Sequence, residues 1–295
     1  MNHILKGAGV ALITPFDEDN QVCYSSLDKL VEYQLENGAD YLVVLGTTAE
    51  TATLTPQEQE KVLEFILDKN NGRVPVVLGI GGNNTHAVCE KIKTTKLDRV
   101  DAILSVTPYY NRPNQRGIIE HFKAIEAVSP VPIVLYNVPS RTGADMTIDT
   151  VLELANYSSK FIAIKDGGGN LHKCMHLSKD APEHFIYLSG DDKNTLPLLS
   201  VGAQGVISVV MNATPSTMSR MVHHALDNKF LEAKELHNKL LRTMELIFEE
   251  GNPTGIKAAL SSIGIIQNYL RLPLVEASEE LYEKIENELN HSEVL

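Results

Sequence analysis

The sequence predicts an α/β protein, a (β/α)8 barrel followed by C-terminal helices. Eight short apolar runs rich in β-branched residues recur along the chain, each followed by Gly, Pro, Asn or Thr. Segments with the apolar spacing of helices lie between them. Alternation of strand and helix repeated eight times, without a break in composition, favours a closed parallel barrel. A doubly wound open sheet is the alternative.

The eight runs are continuously apolar rather than alternating, as expected for parallel strands that are buried on both faces. We predict strands at residues 10–15, 41–47, 74–80, 102–107, 132–139, 161–167, 185–191 and 205–210. Active sites of such barrels lie at the carboxyl ends of the strands. The residues that end each run are therefore the candidates for chemistry.

The segments between the runs predict helices. Thr55-Pro56 followed by Glu58 is a capping-box pattern at the start of one of them. The barrel helices are expected at residues 25–36, 55–67, 85–96, 115–128, 147–154, 171–178, 193–199 and 215–226. Three further helices are expected at residues 229–249, 254–263 and 275–290. We therefore predict a catalytic barrel over residues 1–228 and C-terminal helices over residues 229–295.

Composition and charge exclude several classes of protein. Of the 295 residues, 43% are apolar, which is ample for a folded core. The 26 Lys and Arg residues against 38 Asp and Glu give a formal charge of -12, which argues against a nucleic-acid partner. Three cysteines without CxxC spacing argue against disulfides and fit a reducing compartment. With no signal-peptide pattern or long apolar run, we expect a cytoplasmic protein without membrane association.

One of the buried runs contains a lysine. Lys165 lies near the end of the run at residues 161–167, where a charged ammonium group is unfavourable unless it is paired or its pKa is lowered. The alternative is a lysine that reaches solvent or pairs with Asp166. An uncharged lysine in a dry barrel mouth is what a Schiff-base nucleophile requires. Lys165 is therefore the first catalytic candidate.

The ends of other runs supply functional groups that would suit such a lysine. Tyr136 ends the fifth run, and a phenol can relay protons in an apolar pocket. Arg141 follows in a turn and can clamp a carboxylate with its planar guanidinium group. Thr47 and Thr48 end the second run and can bind a carboxylate or pass on a proton. Each has a structural alternative: a core tyrosine, a solvated loop arginine and strand-end capping.

Four segments resemble the motifs of one known family in order and spacing. They are GTTAE at 46–50, TPYYNRP at 107–113, YNVPSRTG at 136–143 and IKD at 164–166. The chain is similar to the 4-hydroxy-tetrahydrodipicolinate synthase (dihydrodipicolinate synthase) family of the pyruvate-dependent class I aldolase superfamily. The resemblance extends from GAGVALITPF at 7–16 to NPTGIKAAL at 252–260, which is nearly the whole chain.

The resemblance implies condensation of pyruvate with L-aspartate 4-semialdehyde in lysine (diaminopimelate) biosynthesis. Lys165 would form an imine with pyruvate, and Tyr136 would be the general acid and base. Thr47 would link Tyr136 to Tyr110, which in the family comes from the adjacent subunit. The family further implies a homotetramer built as a dimer of dimers. It implies no cofactor and no metal, because the protonated imine is itself the electron sink.

The resemblance also implies four substrate-binding residues. Thr48 would hold the pyruvate carboxylate through its hydroxyl and backbone N–H, and Ile207 would add a backbone contact. Arg141 would position a substrate carboxylate at the mouth of the pocket, and Gly190 would line it.

Other functions stay open at this point. N-acetylneuraminate lyases and 2-keto-3-deoxy sugar acid aldolases of the same superfamily share the lysine and the tyrosine, but they usually lack Arg141. A non-catalytic, small-molecule-sensing barrel is a more remote alternative. It would be expected to have lost one of the catalytic residues, and all of them are present.

The sequence departs from the family at several positions. Ala49 stands where glycine is usual in the family. The run after the lysine is Asp-Gly-Gly-Gly-Asn at 166–170, where the family usually has Glu-Ala-Ser/Thr-Gly-Asn. Both changes are small, so we expect the pocket to survive. At the positions of the family's lysine-feedback site the chain has Pro56, Gln59 and Ala87, although Asn83 and Tyr109 are retained. We expect lysine inhibition to be weak or absent.

One pattern suggests a metal site only superficially. His172 and His176 lie four residues apart on a predicted helix, with Cys174 between them. Such spacing can bind zinc, but Cys174 would face elsewhere on the helix and no HExxH motif is present. We expect no metal here.

Overall fold

The computed structural model describes residues 3–295, in which eight parallel strands follow one another in chain order as a closed barrel. This confirms the predicted (β/α)8 fold over the open sheet. The strands are β1 (Gly7–Ala11), β2 (Tyr41–Val44), β3 (Val76–Gly79), β4 (Ala102–Val106), β5 (Ile133–Asn137), β6 (Phe161–Asp166), β7 (Ile186–Ser189) and β8 (Gly205–Ser208). Nearly every strand residue is buried, as the continuous apolar runs predicted.

Helices follow the strands and continue beyond the last one. Those of the barrel are α1 (Tyr24–Glu36), α2 (Pro56–Asn70), α3 (Thr85–Thr94), α4 (Gln115–Val128), α5 (Pro139–Thr142), α6 (Ile148–Tyr157), α7 (Leu171–Asp180), α8 (Thr195–Ser200) and α9 (Pro215–Leu226). The C-terminal helices are α10 (Phe230–Glu249), α11 (Thr254–Ser262) and α12 (Glu279–His291). Within residues 3–295, no helix combines the length and apolarity needed to cross a bilayer.

The first strand lies earlier than its predicted position, residues 10–15. It begins at Gly7. The sequence did not predict this start, because Gly7 and Gly9 lower the β-propensity of the segment. A side chain at Gly9 would collide with the ring of Tyr41, its register partner on β2. These glycines therefore let two strands approach closely. The one-turn helix α5 was not predicted at all.

The chain divides into two compact units. The first contains Val76–Ile207 together with the residues up to Lys6, and so carries β3 to β7, most of β8, and α3 to α8. Its strands pair in parallel, and Tyr136 on β5 is in register with Lys165 on β6. Its core is formed by the inward and outward faces of these strands and by the apolar faces of the helices, including Phe122 and Phe161 in edge-to-face contact.

The second unit contains Gly7–Pro75 and Ser208–Leu295. It carries β1, β2, α1 and α2, together with α9 to α12, and those last four helices pack against one another. The predicted capping box is confirmed: Thr55 accepts from the Glu58 backbone N–H, and the Glu58 carboxylate accepts from the Thr55 backbone N–H.

Candidate active site

Lys165 and Tyr136 are neighbours at the carboxyl ends of adjacent strands. Each is the penultimate residue of its strand, and the Lys165 ammonium nitrogen lies 4.5 Å from the centroid of the Tyr136 ring. The two side chains are only 6% and 8% exposed. The Tyr136 carbonyl accepts hydrogen bonds from the backbone N–H and the hydroxyl of Thr107, which fixes this end of β5. The structure therefore joins the amine and the phenol that the sequence singled out.

The arrangement suits carbonyl chemistry on the lysine. Within residues 3–295, the Lys165 nitrogen lies against the Tyr136 ring rather than in an ion pair, and the register partner of Lys165 on β7 is the apolar Leu188. A buried lysine without a neutralising carboxylate is poised to act as an amine nucleophile. Tyr136 places beside that amine a phenol, which can both give and take a proton.

Asp166 follows Lys165 and points to the opposite face of β6, because side chains alternate along a strand. Its buried carboxylate accepts from the Gly168 backbone N–H at 2.8 Å and from Asn137 Nδ2 at 3.2 Å. Lys173 on α7 lies 3.5 Å from Asp166 Oδ2 and 2.6 Å from Asp145 Oδ1. This network ties the ends of β5 and β6 to α7 and holds the strand end from which Lys165 projects.

The same network affects a tyrosine on the next strand. Tyr187 on β7 is almost fully buried. Burial raises its pKa well above the usual value, and the negative charge of Asp166 raises it further. Both effects favour the protonated phenol, so Tyr187 is a poorer candidate than Tyr136 for an acid or base at this end of the barrel.

Gly190 and Ile207 lie where the sequence placed them, at the ends of β7 and β8. The Gly190 N–H donates to the Asp166 carbonyl at 2.8 Å. A Cβ at this position would come within 2.9 Å of the Gly167 nitrogen, so only glycine fits without a backbone shift. Ile207 is buried on β8. Both residues thus border the strand ends, and neither contributes a titratable group.

Arg141 and Tyr110 are exposed. Arg141 lies in α5, directly after the strand that carries Tyr136. The ring of Tyr110 is 90% exposed and its backbone has a φ of 71°, in the left-handed region. Arg141 is therefore a surface residue shortly after the strand that carries Tyr136, and Tyr110 is not packed into the core of this unit.

Thr47 and Thr48 belong to the second unit, where they open a single 3₁₀ turn after β2. Thr47 is exposed, whereas Thr48 is buried. The Thr48 hydroxyl accepts a hydrogen bond from Asn252 Nδ2 at 2.9 Å. The turn that carries both threonines is thereby linked to the segment before α11.

A buried ion pair holds the same turn. Glu50 pairs with Lys257 on α11, and both side chains are fully buried. Lys257 also donates to the Tyr269 carbonyl at 2.9 Å and lies 4.1 Å from the centroid of the Phe16 ring. Burial lowers the pKa of Lys257 to about 8, and Glu50 opposes that shift. The Arg271 backbone N–H donates to the second carboxylate oxygen of Glu50 at 3.1 Å.

The histidine pair on α7 lacks a third ligand. The rings of His172 and His176 lie 4.5 Å apart, but Cys174 is fully buried with its sulfur near the Ser178 hydroxyl and the Leu198 carbonyl. Across residues 3–295, no group of three or more His, Cys, Asp or Glu side chains is placed to hold a metal ion.

Sequence reasoning missed Asn252, Lys257 and the Asp145–Lys173 pair. These are polar residues in apparently helical or loop segments, and little in their local pattern marks them. The one usable signal was Lys257 in the apolar segment GIKAAL, which is the same signal that identified Lys165.

Comparison with known proteins places this geometry in context. The model of the Dihydrodipicolinate synthetase family matches residues 4–292. A 4-hydroxy-tetrahydrodipicolinate synthase of Parabacteroides distasonis is 50% identical over 95% of this chain and 95% of its own. The dihydrodipicolinate synthase structure of Thermotoga maritima is 38% identical, with a TM-score of 0.96 over 99% of this chain and 100% of that one. The chloride-inhibited enzyme of Acinetobacter baumannii, complexed with pyruvate, is 37% identical, with a TM-score of 0.95 over 99% and 100% of the two chains.

Proposed function

This chain belongs to the Dihydrodipicolinate synthetase family, and on that premise we propose that it condenses pyruvate with L-aspartate 4-semialdehyde through an imine on Lys165. Its relatives are 4-hydroxy-tetrahydrodipicolinate synthases, and it is accordingly an enzyme of lysine biosynthesis. The observation that carries the catalytic assignment is the buried Lys165 amine over the Tyr136 ring, at the ends of adjacent strands.

The reaction begins at the amine. The Lys165 nitrogen attacks the ketone carbon of pyruvate, and loss of water from the resulting carbinolamine leaves a protonated imine. Loss of a proton from the pyruvate methyl group then gives an enamine, because the imine accepts the electron pair. The enamine carbon attacks the aldehyde and forms the new carbon–carbon bond. Finally, the amino group of the second substrate closes the ring and displaces Lys165.

Each of these steps moves a proton, and we assign that work to Tyr136. Its contact with Lys165 supports a role as general acid when water leaves and as general base elsewhere. Thr47 and Tyr110 complete a proton relay in this proposal. Their assignment is supported by the motifs GTT and TPYY, which match the family.

Four residues are assigned to substrate binding. Thr48 holds the pyruvate carboxylate through its hydroxyl and backbone N–H, and the backbone of Ile207 adds a contact. Arg141 clamps a carboxylate of the incoming aldehyde, and its exposed position after β5 supports a place at the entrance. Gly190 lines the pocket, where a side chain would not fit.

The organisation of the whole enzyme is proposed on the same basis. Residues 1–228 form the catalytic barrel, and residues 229–295 support it. Four copies assemble as a dimer of dimers, which the exposed Tyr110 ring supports because a relay residue needs a covered position. The three free cysteines support a reducing, cytoplasmic location.

The test is pyruvate consumption with L-aspartate 4-semialdehyde by the wild-type enzyme and by Lys165→Ala. We expect Lys165→Ala to lose at least about 1,000-fold in kcat, as is common when a covalent nucleophile is removed. Borohydride with pyruvate should add one adduct to the wild-type chain, seen by intact mass, and none to Lys165→Ala. The exposed Lys179→Ala is the matched lysine control.

The outcomes separate the mechanism from the acceptor. An adduct on Lys165 without turnover of the semialdehyde would support the imine mechanism, but it would indicate that the acceptor is a sugar-derived aldehyde. A folded wild-type protein that forms no adduct would contradict the proposed chemistry altogether.

A further inference from the structure

The hydroxyl group of Thr48 is buried and has a defined hydrogen-bond donor. Asn252 Nδ2 lies 2.9 Å from Thr48 Oγ1, although the two residues are 204 positions apart in the sequence. An amide nitrogen only donates, so the hydroxyl oxygen must be the acceptor. The single hydroxyl hydrogen of Thr48 is therefore directed to some other acceptor.

We propose that Asn252 is a positioning residue for pyruvate: its amide fixes the Thr48 hydroxyl as the hydrogen-bond donor to the pyruvate carboxylate. This inference rests on the proposed function, in which Thr48 binds that carboxylate. A carboxylate oxygen is a strong acceptor, and a donor whose direction is already fixed loses less freedom when it binds. The C-terminal segment thus contributes to the substrate site without touching the substrate.

Other contacts hold the two segments together independently of this hydrogen bond. Glu50, two residues after Thr48, pairs with Lys257, five residues after Asn252. Glu50 also accepts from the Arg271 backbone N–H at 3.1 Å. Removal of the Asn252 amide should therefore leave the turn in place while the direction of the Thr48 hydroxyl is no longer fixed.

Two substitutions at Asn252 have different expected effects. Asn252→Leu keeps a similar volume but donates nothing, so the Thr48 hydroxyl is free to rotate. Asn252→Asp replaces the donor with an acceptor, so the hydroxyl turns towards the introduced carboxylate in place of the substrate, and a second negative charge stands near the pyruvate carboxylate. We expect the pyruvate KM to rise about 10-fold for Asn252→Leu and about 100-fold for Asn252→Asp.

The experiment measures KM for each substrate and the pyruvate dependence of borohydride trapping. The KM for the semialdehyde, and kcat at saturating pyruvate, should change by less than about two-fold. The reason is that the substitutions weaken the binding of pyruvate equally in the ground state and in the transition state. Thr254→Val is the matched control. It removes the Thr254 hydrogen bond to the Val275 carbonyl in the same segment without altering the donor to Thr48. It should leave the pyruvate KM at the wild-type value.

A double-mutant cycle identifies the route of the effect. In a Thr48→Val background, Asn252→Leu should raise the pyruvate KM no further, because the hydroxyl that it orients is gone. Additive effects, or an Asn252→Leu enzyme with the wild-type pyruvate KM, would overturn the positioning role while the trapped adduct upheld the proposed function. A wild-type chain that forms no adduct with pyruvate would instead overturn the proposed function.

Discussion

At the scale of single residues, two buried lysines show how surroundings decide the role of an amine. Lys165 contacts the Tyr136 ring and makes no ion pair in the described chain, whereas Lys257 is fully buried against Glu50. Lys257 also donates to a backbone carbonyl. The Lys165 amine has the Tyr136 phenol as an adjacent proton donor, whereas the Lys257 amine is fixed by its ion pair and its hydrogen bond. Burial of a lysine is therefore not enough to identify a nucleophile.

The Lys257–Glu50 pair leads to a stability prediction. Lys257→Met removes the cation and leaves the Glu50 carboxylate buried with only the Arg271 backbone N–H among these partners. We expect the free energy of unfolding to fall by about 3–5 kcal/mol, the usual loss when one member of a buried ion pair is removed. Urea denaturation followed by circular dichroism measures it.

Lys69→Met is the matched control in the same unit. Lys69 pairs with Asp28 and Glu32 at a partly exposed position, where solvent screens the charges, so we expect a much smaller loss than for Lys257→Met. Equal losses for the two variants would mean that Glu50 is satisfied without Lys257. Adding Glu50→Gln to Lys257→Met should recover part of the loss, because it removes the unpaired charge.

At the scale of helices and strands, local patterns determined most of the elements. The bounds of α4 and α9 agree with the prediction, because both begin at strong signals: Asn114 caps α4, and Pro215 is the first residue of α9. β1 was placed too late, since its glycines serve a close approach to Tyr41 that only the fold reveals. The one-turn α5 is too short to leave a periodic pattern.

The contact between α9 and the start of the barrel leads to a pH prediction. His223 on α9 lies 2.7 Å from Asp40, which also accepts from the Ala8 N–H of β1. The hydrogen bond to Asp40 raises the pKa of His223 above its usual 6.5. The protonated histidine therefore stabilises the fold fully below pH 6.5, and this contribution is lost as the pH rises through the raised pKa.

The effect should be small because the pair is partly exposed and screened by solvent. We expect the unfolding free energy to fall by at most about 1 kcal/mol as the pH rises from about 6 through the raised pKa of His223, and by less in about 0.5 M salt. His223→Gln should remove this part of the pH profile, with His224→Gln as the matched control on the same helix. An unchanged profile in His223→Gln would exclude the pair as its source.

At the scale of the whole molecule, the fold was predictable but the support of the site was not. Lys165 and Tyr136 could be paired from the sequence because consecutive parallel strands bring their carboxyl ends together. The hydrogen bond from Asn252 to Thr48 joins residues 204 positions apart, and no periodicity or cap records such a contact. Sequence patterns report local structure and burial, whereas residues that orient the catalytic groups are recognised only in three dimensions.

The exposed ring of Tyr110 leads to the last prediction, which concerns the assembly. We propose that Tyr110 serves the site of an adjacent subunit, and its 90% exposure in the single chain leaves it available to do so. Tyr110→Phe should then lower kcat more than it raises the pyruvate KM, because a proton relay acts mainly in the transition state. Steady-state kinetics at saturating semialdehyde measure both parameters.

Mixing two defective enzymes tests whether the relay crosses between subunits. Lys165→Ala lacks the nucleophile but keeps Tyr110, and Tyr110→Phe has the opposite defect. If Tyr110 acts across the interface, a mixed pair contains one site with both an intact lysine and an intact tyrosine, so co-refolded subunits should regain activity. If Tyr110 acts within its own chain, every site in the mixture lacks one of the two groups. Activity would then stay at the average of the two separate variants, and the proposed role of the interface would be wrong.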